Sequence, residues 1–125
     1  MHRIAVLGLH HDHVWSNLEE LEATGKAELV AAADADEELR ERYRDRFPGR
    51  VHRSAEDLFA AESDLTAAYV FASNRRGEDL VVEACRRGLH CLVEKPMAAT
   101  LDGAERMLAA AEENDVRLMI NWPFA

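Results

Sequence analysis

The chain has 125 residues, 48% of them hydrophobic and 31% charged, and a formal net charge of -9. That size supports one domain with one sizeable core and is short for a two-domain enzyme. The composition excludes a disordered chain, no apolar run approaches a membrane span, and the acidic balance argues against nucleic-acid binding, which needs clustered Lys and Arg.

Strand-like and helix-like segments then alternate. Residues 3–8 form a short apolar run closed by Gly8, with no signal peptide before it, which points to a cytoplasmic location. Residues 13–23 carry Val14, Leu18 and Leu21 at helical spacing and stop at Gly25. A second apolar run, 28–33, is closed by Asp34. Leu39, Tyr43 and Phe47 share the face of a helix ended by Pro48-Gly49, while Arg40, Arg42, Arg44 and Arg46 alternate with acids and read as a solvated, ion-paired face.

Val51-His52-Arg53 has room only for a short edge strand, and Ser54 opens a small helix as its cap. Residues 66–72 are rich in β-formers and lead to a polar loop, Ser73-Asn74-Arg75-Arg76-Gly77. Leu80, Val81, Ala84 and Cys85 mark the next helix, which stops at Gly88. Cys85 and Cys91, the only cysteines, match no zinc or redox spacing and read as reduced core residues.

A buried strand over 89–93 runs into Glu94-Lys95-Pro96. Thr100 caps a helix expected to turn Leu101, Ala104, Met107, Leu108 and Ala111 inward, and 116–120 is the last strand. The alternation predicts an α/β fold: one domain over residues 1–125, a doubly wound, mostly parallel sheet covered on both faces by right-handed crossovers.

Such sheets bind ligands beyond the carboxyl ends of their strands, here at Gly8, Asp34 and the Glu-Lys-Pro turn. A dinucleotide site needs a tight first turn, so that backbone N–H groups at the helix N-terminus meet the pyrophosphate. In Gly8-Leu9-His10-His11-Asp12-His13 only one of the usual three glycines remains, with His10 and His13 at the other two positions. The helix dipole persists and an imidazole can donate to a phosphate oxygen, so Gly8, His10, His11 and His13 are cofactor-binding candidates. Asp12 would oppose a phosphate unless it caps the helix and faces away. Neighbouring histidines converge on a metal only with a further ligand from elsewhere, and no metal is expected.

Asp34 lies 26 positions after Gly8, near the interval of about 20 for an acidic ribose reader. Its carboxylate can accept from both hydroxyls of an adenosine ribose and repel a 2′-phosphate, favouring NAD over NADP. The other reading, a helix N-cap, suits Asp36 better. Lys95 is the catalytic candidate: at the sheet rim its ammonium can orient a nicotinamide ribose or donate to a substrate hydroxyl or carbonyl. Pro96 fixes the turn, and a cis Lys95-Pro96 bond is a hypothesis to check. The plainer alternative is a surface pair between Glu94 and Lys95.

Glu94-Lys95-Pro96, the segment Leu118-Met119-Ile120-Asn121 and the run from Leu29-Val30 through Asp34-Ala35-Asp36 together resemble the N-terminal half of the Gfo/Idh/MocA oxidoreductase family. The similarity covers essentially the whole chain. It implies a Rossmann domain binding NAD(P), followed by an open-faced sheet domain that holds much of the substrate site. Hydride would pass between nicotinamide C4 and a carbon of a sugar, polyol or related alcohol. The resemblance gives Lys95 a part in binding substrate and positioning the nicotinamide, with Glu94 and Pro96 in the same cofactor-binding motif. It also places Asn74, with Ser73 beside it, near the cofactor.

The chain departs from the family pattern in three places. The glycine turn carries His10 and His13, the histidine often found three residues after the Asn74 position is Gly77, and the chain stops where the second domain would begin. The usual catalytic acid–base pair of that domain has no counterpart here. The expectation is the nucleotide-binding domain of an incomplete enzyme acting on a small sugar or polyol. Trp122 and Phe124 are expected to expose apolar surface, which allows a homo-oligomer, and no nucleic-acid or membrane partner is expected. A dinucleotide-sensing module without turnover is the alternative. A signalling receiver domain needs paired acids after the first strand and an acceptor aspartate after the third, where this chain has Asp12 alone and His52-Arg53.

Overall fold

The computed structural model describes residues 2–10, 14–71, 74–94 and 101–121. Six strands and five helices alternate along these residues. They are β1 (His2–Leu7), α1 (Val14–Ala23), β2 (Ala27–Ala33), α2 (Glu37–Arg46), β3 (Arg50–His52), α3 (Ala55–Ala61), β4 (Ala67–Val70), α4 (Asn74–Arg86), β5 (His90–Glu94), α5 (Leu101–Glu113) and β6 (Leu118–Asn121). The strands form one parallel sheet in the order β3-β2-β1-β4-β5-β6. Strand order reverses between β1 and β4, which makes their carboxyl ends the switch point of a doubly wound Rossmann-type fold.

The central strands are apolar throughout because both faces of the sheet are covered. Successive side chains alternate between the two cores. Val6, Ala32 and Tyr69 face Val14, Leu18 and Tyr43 from α1 and α2. Leu7, Ala33, Val70 and Cys91 face Leu58, Val81, Cys85 and Met107 from α3, α4 and α5. Ala31, Ala32 and Ala33 are all buried, so β2 presents almost no side-chain bulk and its helices lie close. Cys85 and Cys91 are free and buried, with sulfurs 4.0 Å apart. Burial pushes both thiols up in pKa, which keeps them inert.

Helix starts follow their capping chemistry. Asp36 accepts from the N–H groups of Glu38 at 2.9 Å and Leu39 at 3.4 Å, and Ser54 Oγ accepts from Asp57 N at 3.1 Å. Gly88, at φ 79°, ends α4 in the left-handed region. Thr100 and the Lys95-Pro96 bond lie outside the described residues.

Three expectations are corrected. The polar stretch after β4 is not a loop through Gly77, because α4 begins at Asn74. In its opening turns Arg76 is exposed while Gly77 and Glu78 are buried. Leu101 and Leu108 do not face inward and are 74% and 51% exposed. The buried stripe of α5 is Gly103, Met107, Ala110 and Ala111, an i, i+4, i+7, i+8 pattern built from smaller residues. Arg40 does not belong to a solvated face. It is buried, and its guanidinium donates to the carbonyls of Asp34 at 2.8 Å and Ala35 at 3.0 Å. Of its neighbours, Arg42 lies 4.4 Å over the Trp15 ring and Arg46 pairs with Glu19.

Candidate functional site

The carboxyl ends of four strands are stitched together by their own backbone. Gly8 N donates to Ala33 O at 2.9 Å, Phe71 N to Leu7 O at 2.8 Å, and Asp34 N to His52 O at 3.1 Å. These bonds carry the sheet one residue past each strand and hold the rim rigid where the chain turns away. Gly8, at φ 97°, supplies the left-handed turn that leaves β1.

Asp34 is the centre of this rim. Its side chain is only 2% exposed. Oδ2 accepts from Leu9 N at 2.7 Å and Oδ1 from Asp36 N at 2.9 Å, so one carboxylate ties the β1 turn to the start of α2. His10 Nε2 stands 3.1 Å from Oδ1. The contact becomes an ion pair when the imidazole carries its second proton. Arg40 completes the support by holding the carbonyls of Asp34 and Ala35 from below. A buried carboxylate with this many donors is a fixed acceptor, and fixed acceptors recognise hydroxyls.

A pocket of about 360 Å³ opens on this rim. Its wall includes Gly8 and His10 after β1, Asp34 after β2, Arg53 after β3, Phe71 after β4 and Arg76 on α4. It therefore spans the switch point. Arg53 and Arg76 form no ion pair with any described residue, so the pocket wall carries two unpaired basic residues in an otherwise acidic chain. Planar guanidinium groups suit phosphate oxygens or an aromatic base.

The structure brings Gly8, His10 and Asp34 together on one pocket wall. Asn74 opens α4 and Glu94 closes β5 on the same side of the sheet. His11, His13, Ser73, Lys95 and Pro96 lie outside the described residues. Sequence reading missed Arg53, Phe71 and Arg76 as pocket residues and Arg40 as the support of Asp34. Their signal is positional: each is near a strand end or one helical turn beyond it. Among the described residues no cluster of three or more His, Cys, Asp or Glu side chains could hold a metal ion, and no helix is long and apolar enough to cross a membrane.

A second polar network gathers at the β3 edge. Glu62, with a side chain 1% exposed, accepts from Arg50 Nε at 2.7 Å and contacts His52 Nε2 at 3.0 Å. The hydrogen bond from Arg50 draws the Glu62 carboxyl down to a pKa of about 2, against the opposite pull of burial, and His52 adds to the lowering.

Comparison with known proteins agrees with this geometry. Residues 3–122 match the model of an oxidoreductase family with an NAD-binding Rossmann fold, Gfo/Idh/MocA. A dTDP-3,4-didehydro-2,6-dideoxy-alpha-D-glucose 3-reductase of Actinomadura kijaniata is 32% identical over 123 residues, covering 98% of this chain and 36% of that protein. A D-apiose dehydrogenase of Paraburkholderia graminis is 33% identical over 116 residues, covering 91% of this chain and 29% of the other. A crystal structure of a 3-ketoreductase from Actinomadura kijaniata, in complex with NADP and TDP-benzene, superposes with a TM-score of 0.86 at 31% identity, over 96% of this chain and 37% of that one.

The chain belongs to the Gfo/Idh/MocA oxidoreductase family and forms its NAD(P)-binding Rossmann domain. It spans between 22% and 36% of the lengths of the curated relatives it matches.

Proposed function

We propose that this chain is the dinucleotide-binding part of an oxidoreductase that moves hydride between NAD(P) and a CH–OH carbon of a sugar or polyol. In this reading a second domain supplies much of the substrate site. The observation that carries it is the fixed Asp34 carboxylate in a pocket at the switch point, 26 residues after the glycine that opens the first turn. Relatives that reduce or oxidise sugars support the substrate class.

The residues present fit the adenosine half of such a cofactor. Asp34 would accept from ribose hydroxyls, the turn after Gly8 would face the pyrophosphate, and Arg53 would lie beside the adenosine end. Bound NAD(P) would supply the hydride-carrying nicotinamide. Asn74 and Lys95 would orient that ring and the substrate oxygen at the far side of the rim, with Glu94 and Pro96 fixing the lysine. Asp34 favours NAD over NADP, since a 2′-phosphate would meet a buried negative charge.

Titration calorimetry with each cofactor tests this. NAD should bind more tightly than NADP, and Asp34→Ala should erode the difference. Equal affinity for the two cofactors would remove Asp34 from that role, and binding of neither would overturn the proposal. His10 at a glycine position favours a second reading, a module that senses the dinucleotide without turnover. Absence of turnover on sugars and polyols by a longer version of the protein would select it.

A further inference from the structure

An ionised carboxylate offers about four lone-pair positions, two on each oxygen. Among the described residues, Leu9 N donates to Oδ2 and Asp36 N to Oδ1, and the His10 imidazole stands against the carboxylate with Nε2 3.1 Å from Oδ1. An adenosine ribose brings two hydroxyl donors, and one that approaches Oδ1 competes with His10 for it. The two backbone donors are fixed by the fold. The His10 side chain is not: it is 67% exposed against 2% for Asp34, so swinging into water gives up little packed surface.

We propose that the His10 imidazole is a latch on the ribose-reading carboxylate, seated on Oδ1 in the free protein and displaced by the adenosine ribose. The inference rests on the reading of Asp34 as the ribose acceptor and adds a residue that sets the affinity of that site. His10 adds a third contact to a carboxylate whose two oxygens already accept from backbone N–H groups. Binding then exchanges one donor for two. The cost of breaking the His10 contact is drawn from the cofactor's affinity, so the latch keeps binding weak and release fast. Arg53 and Arg76, the other charged groups on the pocket wall, stand on different elements and are not displaced by this motion.

Calorimetric titration of NAD into the purified chain and its His10→Ala variant tests the latch. Alanine retains the Cβ, so the comparison isolates the imidazole. Removing one competing polar contact should tighten NAD binding about fivefold. An NAD analogue lacking the adenosine 2′-hydroxyl offers fewer donors to the carboxylate, so His10→Ala should change its affinity by less than about twofold. In an Asp34→Ala background, checked for folding by circular dichroism, the gain with NAD should vanish. Weaker binding by His10→Ala would make His10 a cofactor ligand and overturn the latch. An unchanged affinity, or an equal gain with the analogue, would overturn it as well. If NAD binds to none of these proteins, the reading of the pocket itself fails and takes the latch with it.

Discussion

Glu78 and Gly103 share one space: a Cβ at position 103 would stand 1.3 Å from Glu78 Oε1. Both residues are buried, one on α4 and the other on α5, so the absent side chain is what lets the carboxylate lie between the two helices. Gly103→Ala should drive the carboxylate from its seat and destabilise the protein by about 1–3 kcal/mol, although alanine is the better helix former. With Glu78→Ala also present, the loss should be smaller than the sum of the two single changes. Thermal denaturation of the four proteins measures this, and strictly additive losses would contradict it.

Gly49 meets a harder obstacle. It sits at φ 97°, and a Cβ there would lie 2.3 Å from the backbone oxygen of Val30. Backbone in a central strand cannot swing aside as a side chain can. Gly49→Ala should cost at least about 1–2 kcal/mol from the left-handed conformation alone, with the clash added. An unchanged urea midpoint would show that the turn relaxes freely.

The Arg50–Glu62–His52 network predicts an acid limb. The Glu62 carboxyl titrates at about 2 in the folded protein against an ordinary 4.5. A depressed folded value means that the unfolded chain takes up the proton first. The stability contributed by ionised Glu62 is therefore full above about pH 4.5 and lost as pH falls toward 2. Glu62→Gln should lower stability at neutral pH and flatten the pH dependence across that window. A parallel acid limb in the variant would assign the effect to other carboxyls.

Tyr43 is buried with a hydroxyl that has no hydrogen-bond partner among the described residues. Burial, with Glu22 nearby, pushes the phenol up in pKa and keeps it neutral. Tyr43→Phe removes an unsatisfied polar atom and leaves the ring contact with Phe47, centroid to centroid 5.4 Å. Stability should hold or rise by about 1 kcal/mol. A clear loss would reveal a partner for the hydroxyl.

Lys95→Ala carries the catalytic part of the proposal. In the longer, catalytically complete protein it should abolish turnover and leave NAD affinity within about twofold, since the lysine would act on the reacting atoms rather than the adenosine end. Retained turnover would remove Lys95 from the mechanism.

The architecture was legible because each signal was local and repeated. Apolar runs closed by Gly8 and Asp34, and helix faces such as Leu39-Tyr43-Phe47, give element type and order without knowledge of partners. Asp36 and Ser54 were legible as caps for the same reason, since a cap serves atoms two or three residues away. Arg40 was not, because its charge pattern along the helix says nothing of the two carbonyls beneath it. Leu101 and Leu108 misled because a helix packed on another helix can bury its small residues and leave its leucines outside. Asp34 was legible as an acid at the right interval, but its bonds to Leu9 and Asp36 and its contact with His10 depend on how three separate turns meet.

The two sides of the sheet are finished differently. At β3 the strand is three residues long, and Glu62 draws the side chains of Arg50 and His52 into ion pairs. A short, charge-bearing border of that kind resists templating by a stray strand. At β6 the described chain places Met119, 64% exposed, on an outer strand with nothing beside it. A pairing strand, whether from the same polypeptide or another, therefore meets fewer charges among the described residues at the β6 flank than at β3.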